Sequence, residues 1–205
     1  MLDKVASQLT KWLIKHQATD EKNYETIKYG IMLIISSVNC MLSILVISLF
    51  ANCLLEGIIF LFFFMTLRTK CGGYHCSSYL RCWLFTNLIF IIYLMLIKCS
   101  YFEGNYIVIL ILLGFSVFTI YKFAPIINNN NPKTKNQIEK KKVVARMTII
   151  IYTALLIIFL LMFENIILYY TYSAVLAICM VIFLMYYEFL VDWGCKYVRK
   201  ISKSN

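Results

Sequence analysis

Proline, glycine and histidine are scarce in this sequence. Its 205 residues include 2 prolines, 7 glycines and 2 histidines. With so few helix-breaking residues, most of the chain is free to form long uninterrupted helices. Residues 1–25 also lack the apolar segment and the small-residue cleavage site of a secretory signal peptide, so we expect no signal peptide there.

The 8 cysteines lack the regular spacing of a disulfide framework. Most of them lie inside apolar runs or beside cationic residues. We therefore expect reduced cysteines, with those of the main polar loop facing the cytosol. This pattern argues against a small secreted domain held together by disulfides.

Hydrophobic residues make up 61% of the chain, whereas a soluble domain contains about 45–50%. Several apolar runs approach the ~20 residues that a helix needs to cross a bilayer. We predict an all-α membrane protein, a single polytopic domain over residues 1–205 with about six transmembrane or partly re-entrant helices. The predicted runs are 30–50, 53–67, 83–97, 106–121, 147–163 and 166–190. The second and third, at about 15 residues, are short for a hydrocarbon core of about 30 Å.

The lysines and arginines indicate the orientation of these spans. If the N-terminus is cytoplasmic, six spans place 19 of the 20 cationic residues in cytoplasmic segments and only Lys98 outside. The positive-inside rule therefore predicts that both termini are cytoplasmic. The predicted cytoplasmic segments are an N-terminal segment 1–28, a loop 68–82, a basic loop 122–146 and a basic tail 191–205.

The N-terminal segment has the pattern of a basic amphipathic helix. Its apolar residues recur at helical spacing, and its lysines lie away from that stripe. The apolar residues are Leu2, Val5, Ala6, Leu9, Trp12 and Leu13, and the lysines are Lys4, Lys11 and Lys15. We expect this helix either to lie on the inner leaflet or to pack on the protein's own cytoplasmic face.

The basic loop contains a second helical pattern, from about Lys135 to Arg146. Two prolines and four consecutive asparagines precede it and oppose regular structure. A polybasic segment beside a membrane binds anionic lipid or an acidic peptide. The residues expected to do so are Lys140, Lys141 and Lys142.

The loop 68–82, RTKCGGYHCSSYLRC, concentrates reactive side chains. Three interpretations are open. The first is a zinc site made of Cys71, His75, Cys76 and Cys82, although the usual CxxC or HxxxH pairs are absent. The second is a cysteine nucleophile with His75 as its general base. The third is a polar loop with incidental cysteines.

Helix geometry limits the second interpretation. His75 and Cys82 are seven residues apart, which in a continuous helix separates them by about 10.5 Å along the axis. A catalytic pair therefore requires a break between them. The pair Gly72-Gly73 permits such a turn, and Ser77 or Ser78 can cap a new helix.

Cys82 would then lie in the first turn of the new helix, at the positive end of its dipole. Arg68, Lys70 and Arg81 add positive charge near this thiol, which favours a thiolate and a developing oxyanion. The residues alone leave Cys76 as a second candidate nucleophile.

The stretch RTKCGGYHCSSYLRC resembles the motif of the accessory gene regulator B family, which has an arginine, Gly-Gly-x-His and a cysteine seven residues after the histidine. The similarity extends to the chain length, the basic N-terminus, the short spans and the segment APIINNNNPKTKNQIEKKK. This resemblance implies a membrane-embedded cysteine endopeptidase of Gram-positive quorum sensing. Such an enzyme cuts a small precursor peptide on its C-terminal side and forms a cyclic thiolactone or lactone pheromone.

The resemblance also implies roles for individual residues. His75 and Cys82 match the catalytic pair, and Arg68 and Gly73 match functionally important positions. Independently of the resemblance, the charges of Lys70 and Arg81 and the capping position of Ser78 make these residues candidates for supporting roles. The expected partners are a precursor with an amphipathic leader and an acidic C-terminal segment, membrane lipid and a second copy of the chain. No cofactor, metal or nucleic acid is expected. A non-enzymatic transporter or permease with a basic cytoplasmic face is the alternative.

The remaining polar residues have structural interpretations. Glu56 lies at the opposite end of its span from the motif, and Asn87 is about one turn beyond Cys82, where it suits helix packing. Glu188 and Asp192 lie where the last span ends and are expected to be hydrated carboxylates. A third catalytic residue cannot be assigned from these positions.

Overall fold

The computed structural model describes residues 2–16, 20–72, 78–99, 105–126, 135–161 and 165–202, with side chains as far as Val191. Within these ranges the chain is helical, and the only bridge between extended residues joins Gly72 to Ile126. The helices are α1 (Leu2–Lys15), α2 (Tyr24–Phe50, after a 3-10 turn Glu21–Asn23), α3 (Leu54–Phe60), α4 (Thr66–Cys71), α5 (Tyr79–Cys99), α6 (Tyr106–Phe123), α7 (Lys135–Leu160) and α8 (Asn165–Ser202). A π-helical segment, Leu61–Met65, connects α3 directly to α4.

Five helices are long and apolar enough to cross a membrane, which confirms the predicted all-α membrane protein. They are α2, α5, α6, α7 and α8 as far as Val191. The third apolar run was predicted to be short, but α5 begins before it and ends after it. At 21 residues, a helix of this kind is about 30 Å long and matches the hydrocarbon thickness.

The second apolar run forms the continuous helical segment α3–π–α4. At the end of the π turn, the backbone N–H of Thr66 donates to the carbonyl oxygens of Phe62 and Phe63. The Thr66 hydroxyl donates to the carbonyl oxygen of Phe62 at 2.5 Å and also lies 2.7 Å from the Tyr152 hydroxyl. This segment contacts α2, α7 and α8 and buries Phe60, Phe64 and Leu67 completely. It is therefore an inner helix of the bundle, and it carries Arg68 near its end.

The basic loops lie together at one end of the bundle. The amide of Ile126, just after α6, donates to the carbonyl oxygen of Cys71 at the end of α4. The Lys141 ammonium of α7 donates to the Thr69 carbonyl oxygen at 3.1 Å. Lys98, the one cation predicted to lie outside, is at the opposite end of α5, where it bonds to the Ala51 carbonyl oxygen. This arrangement matches the alternation of spans predicted from charge.

Helix α1 forms as predicted and packs on the start of α2. Ala6 and Thr10 are fully buried, and Asp3 forms an ion pair with Lys28 at 2.8 Å. Other apolar residues of the same helix, among them Leu9 and Trp12, remain exposed. The helix therefore packs on the protein while keeping an apolar surface available to lipid, which combines the two predicted arrangements.

Candidate active site at the start of helix α5

Ser78 precedes the first residue of α5 and caps this helix. Its side-chain oxygen lies 3.4 Å from the backbone nitrogen of Arg81, and its carbonyl oxygen accepts the Cys82 N–H at 3.1 Å. The side chain thus provides an acceptor for one of the unpaired N–H groups of the first turn. The predicted cap at Ser77 or Ser78 is confirmed at Ser78, and Cys82 is placed in the first turn.

Gly72 ends α4 with a conformation that favours glycine. Its φ is +75° and its ψ is −155°, a combination that side chains strongly disfavour. A Cβ added there would also overlap the carbonyl oxygen of Ile126. The chain therefore leaves α4 in a sharp turn, as the sequence argument requires. Gly73, His75, Cys76 and Ser77 lie outside the described residues, so the distance between His75 and Cys82 stays a prediction.

The side chain of Arg68 on α4 contacts the thiol of Cys82 on α5. Its Nη2 lies 3.5 Å from the Cys82 Sγ, and its Nη1 donates to the Thr86 Oγ1 at 2.8 Å. The Thr86 hydroxyl in turn donates to the carbonyl oxygen of Cys82 at 2.9 Å. The guanidinium carbon lies 5.5 Å from the centre of the Phe64 ring, within the range of a cation–π contact. A positive charge therefore lies next to the thiol.

The other described cysteine of the motif, Cys71, has a different environment. Its side chain is fully buried in the apolar core. Burial raises the pKa of the Cys71 thiol to about 12, although the charge of Lys70 acts in the opposite direction. Cys71 therefore remains a thiol at neutral pH, whereas Cys82 is partly exposed. Of these two cysteines, Cys82 is the one suited to attack.

Lys70 and Arg81 do not make the contact that Arg68 makes. Since Lys70 is two residues after Arg68, its side chain leaves the helix in nearly the opposite direction, and its ammonium donates to Thr148 of α7 at 3.0 Å. Arg81 is exposed at the start of α5. Both residues contribute positive charge to this end of the bundle, and their predicted supporting roles stay predictions.

The predicted peptide-binding lysines border the same end. Lys141 bonds to the end of α4, which connects the start of α7 to the helix that carries Arg68. Lys140 and Lys142 are exposed on either side of it. The three lysines therefore add positive charge around the start of α7, at the end of the bundle that carries the motif.

The remaining polar residues predicted to have structural roles are Glu56, Asn87, Glu188 and Asp192. Glu56 accepts a hydrogen bond from the Tyr169 hydroxyl at 2.8 Å, far along the inner helix from Arg68. The Asn87 amide donates to the Trp83 carbonyl oxygen at 2.8 Å, within its own helix. Glu188 is only 7% exposed, which corrects the expectation that it is hydrated, because its side chain is packed inside the helix bundle. The side chain of Asp192 lies outside the described residues.

The sequence argument missed Thr86. It lies four residues after Cys82, on the same helix face, and this spacing was visible in the sequence. Its contact with Arg68 was not, because that contact depends on how α4 packs against α5.

The zinc interpretation of the motif stays untested. The described residues contain no group of three metal-binding side chains, but His75 and Cys76 are outside them.

Known proteins resemble this chain over most of its length. The family model of accessory gene regulator B (AgrB) matches residues 6–186. An AgrB-like protein of Clostridium perfringens strain SM101 is 34% identical over 130 residues, covering 58% of this chain and 61% of that protein. AgrB-like protein 1 of Clostridium perfringens strain 13 is 28% identical over 128 residues, covering 62% of this chain and 67% of that protein.

The chain thus spans 61% of the length of the first of these relatives. No solved structure gives a significant match. The family model includes the whole stretch from Arg68 to Cys82, the first five predicted spans and most of the sixth. The chain belongs to the accessory gene regulator B family, and this membership connects it to the agr quorum-sensing system.

Proposed function

We propose that this protein is a membrane-embedded cysteine endopeptidase that processes a pheromone precursor peptide. The observation that carries the proposal is the contact between Arg68 and Cys82, 3.5 Å apart, in the first turn of a capped helix. A cysteine in that position combines partial exposure with a nearby cation and the positive end of a helix dipole, which together favour a reactive thiolate. Family membership supports the same function.

The first chemical step is the attack of Cys82 on the scissile carbonyl carbon. His75 accepts the thiol proton, and the new S–C bond places negative charge on the carbonyl oxygen. Arg68 and the N–H groups of the first turn of α5 are suited to stabilise this oxyanion. His75 then returns the proton to the leaving nitrogen, the C–N bond breaks, and the C-terminal fragment departs.

The second step releases a ring instead of an acid. The N-terminal part of the precursor remains on Cys82 as a thioester. A cysteine or serine side chain within the peptide loses its proton to His75 and attacks this thioester. The new bond closes a thiolactone or lactone, the bond to Cys82 breaks, and the Cys82 sulfur leaves as a thiolate. A site at the membrane surface limits the competing attack by water.

The basic end of the bundle supports the choice of substrate. The formal net charge of the chain is +10, and Lys140 and Lys142 are exposed beside the motif. A surface of this kind attracts an acidic peptide segment and orients it. We propose that it faces the cytoplasm and binds an acidic C-terminal part of the precursor.

Cleavage in cells tests this proposal. The protein is produced together with the product of a short neighbouring reading frame that encodes an amphipathic leader, a central cysteine or serine and an acidic tail. We expect Cys82→Ser and His75→Ala to abolish cleavage while both variants accumulate in the membrane. Cys99→Ser, which changes an exposed thiol at the other end of α5, serves as the control and retains cleavage. Normal cleavage by Cys82→Ser would show that Cys82 is not the nucleophile.

A further inference from the structure

We propose that Thr86 is a positioning residue that holds the Arg68 guanidinium against the Cys82 thiol. The effect of Thr86 on precursor cleavage rests on the proposed function. The contact between Thr86 and Arg68 is tested separately, through the reactivity of Cys82. Thr86 is on α5, Arg68 is on α4, and the two are joined by the 2.8 Å bond from Nη1 to Oγ1. The second terminal nitrogen of the same planar group, Nη2, faces the Cys82 sulfur.

The hydroxyl of Thr86 has a fixed direction. A threonine hydroxyl has one proton to donate and two lone pairs that accept. The proton is used in the bond to the Cys82 carbonyl oxygen, at 2.9 Å. The lone pairs therefore remain for Arg68, which has donors and no acceptor. The guanidinium therefore donates and the Thr86 oxygen accepts. Because the donor is charged, the hydrogen bond is charge-assisted.

The planar shape of the guanidinium transfers this constraint to the thiol. Nη1 and Nη2 are held in one rigid fork. Once Thr86 fixes Nη1 and the ring of Phe64 lies against the group, Nη2 has little freedom, and it lies 3.5 Å from the Cys82 Sγ. A lysine at the same position has a single ammonium and lacks this geometry.

The hydrogen bond between Thr86 and Arg68 is made by a buried hydroxyl. Thr86 is only 1% exposed, so water has little access to the hydroxyl that accepts the hydrogen bond from Arg68. Loss of the hydroxyl removes the acceptor that fixes Nη1 of Arg68 at a buried point of α5.

The first test measures the reactivity of Cys82 and needs no substrate. The purified protein, in lipid nanodiscs, is treated with iodoacetamide at pH 7, and alkylation of the Cys82 peptide is followed by mass spectrometry. We expect Thr86→Val to lower the alkylation rate about tenfold, as expected for loss of a charge-assisted hydrogen bond. Thr86→Ser, which keeps the hydroxyl, is expected to react at nearly the wild-type rate.

Two controls separate this effect from a general disturbance of the fold. The exposed thiol of Cys99, at the far end of α5, should react equally in all variants. Thr171→Val removes another buried hydroxyl, one that bonds to the Ile167 carbonyl oxygen of its own helix, and should leave the Cys82 rate unchanged. If Thr86→Val does not accumulate, the smaller Thr86→Ala replaces it. Wild-type reactivity in the hydroxyl-free variant, or an equal loss in Thr86→Ser, would overturn the proposal.

A double-mutant cycle tests whether Thr86 acts through Arg68. Arg68→Ala removes the charge, so Thr86→Val should have no further effect in that background. An equal tenfold loss in both backgrounds would contradict the positioning role. Precursor cleavage is then measured for the same variants. If Cys82→Ser still cleaves, the proposed function fails, whereas the alkylation results still decide the Thr86 contact.

Discussion

At the scale of single residues, the environment of each thiol determines which chemistry it can perform. Cys71 and Cys82 lie in the same short motif, but one faces the apolar core and the other faces a guanidinium. A thiolate is costly in an apolar environment and is stabilised beside a cation. The contrast explains why several cysteines in one loop do not all qualify as nucleophiles.

The raised pKa of Cys71 leads to a prediction about pH. Since burial raises that pKa from 9.0 to about 12, folding favours the protonated thiol. Its contribution to stability is present in full below pH 9 and is lost as the pH rises from 9 through 12. We expect iodoacetamide to modify Cys71 negligibly at pH 8.5 in the folded protein and readily after unfolding in denaturant.

Peptide mass spectrometry of the two samples checks this prediction, with the exposed Cys99 as the internal standard. Modification of Cys71 at the rate of Cys99 before unfolding would contradict its burial. The measurement also tells Cys71 apart from Cys82, which is only partly buried.

At the scale of secondary-structure elements, two irregular features place the motif. The π segment Leu61–Met65 changes the direction in which the following α4 residues face, and α4 carries Arg68. The turn at Gly72 then ends α4 and joins it to the segment after α6 through Ile126. The site therefore depends on how three chain segments meet and not on the motif alone.

The turn at Gly72 gives a prediction about stability. In Gly72→Ala, the added Cβ meets the Ile126 carbonyl oxygen, and the positive φ is strained for alanine. We expect a loss of about 1–3 kcal/mol in the free energy of unfolding and reduced precursor cleavage. Thermal unfolding of the purified protein measures the change.

Gly114→Ala is the matched control for this variant. A Cβ at Gly114, within α6, meets nothing within 4 Å, and alanine is the better helix former by about 1 kcal/mol. This control should unfold at the wild-type temperature or slightly above it. Equal unfolding temperatures for the two variants would refute the role of the Gly72 turn.

The same elements show what the sequence can and cannot predict. The Ser78 cap, the helix break and the start of α7 at Lys135 follow from local residue preferences, and the structure confirms them. The π segment and the contact of Arg68 with Thr86 depend on packing between helices distant in sequence, for which a single sequence gives no signal. The length of α5 was underestimated because its polar first turn lies outside the apolar run.

At the scale of the whole molecule, charge and topology agree. The starts of α5 and α7 and the ends of α4 and α6 lie at one end of the bundle. There the end of α4 is bonded to Lys141 of α7 and bridged to Ile126 after α6. Lys98 lies at the other end. The positive-inside rule predicts that the end that contains the motif is cytoplasmic.

This orientation predicts which thiols are reached from outside the cell. Cys99 is exposed and adjacent to Lys98, so a membrane-impermeant maleimide should label it in intact protoplasts. Cys99→Ser should lose that label. Labelling of Cys99 only in inside-out vesicles would reverse the topology and place the motif on the outer face.

The central claim is that Cys82 carries the precursor as a thioester. The most direct measurement is mass spectrometry of the nanodisc-embedded protein, quenched in acid soon after a synthetic precursor peptide is added. The account predicts an adduct on the Cys82 peptide, equal in mass to the N-terminal part of the precursor less one water, which hydroxylamine removes and which is absent in Cys82→Ala. Precursor cleavage by Cys82→Ala at the wild-type rate, or an adduct on another cysteine that persists in that variant, would contradict it.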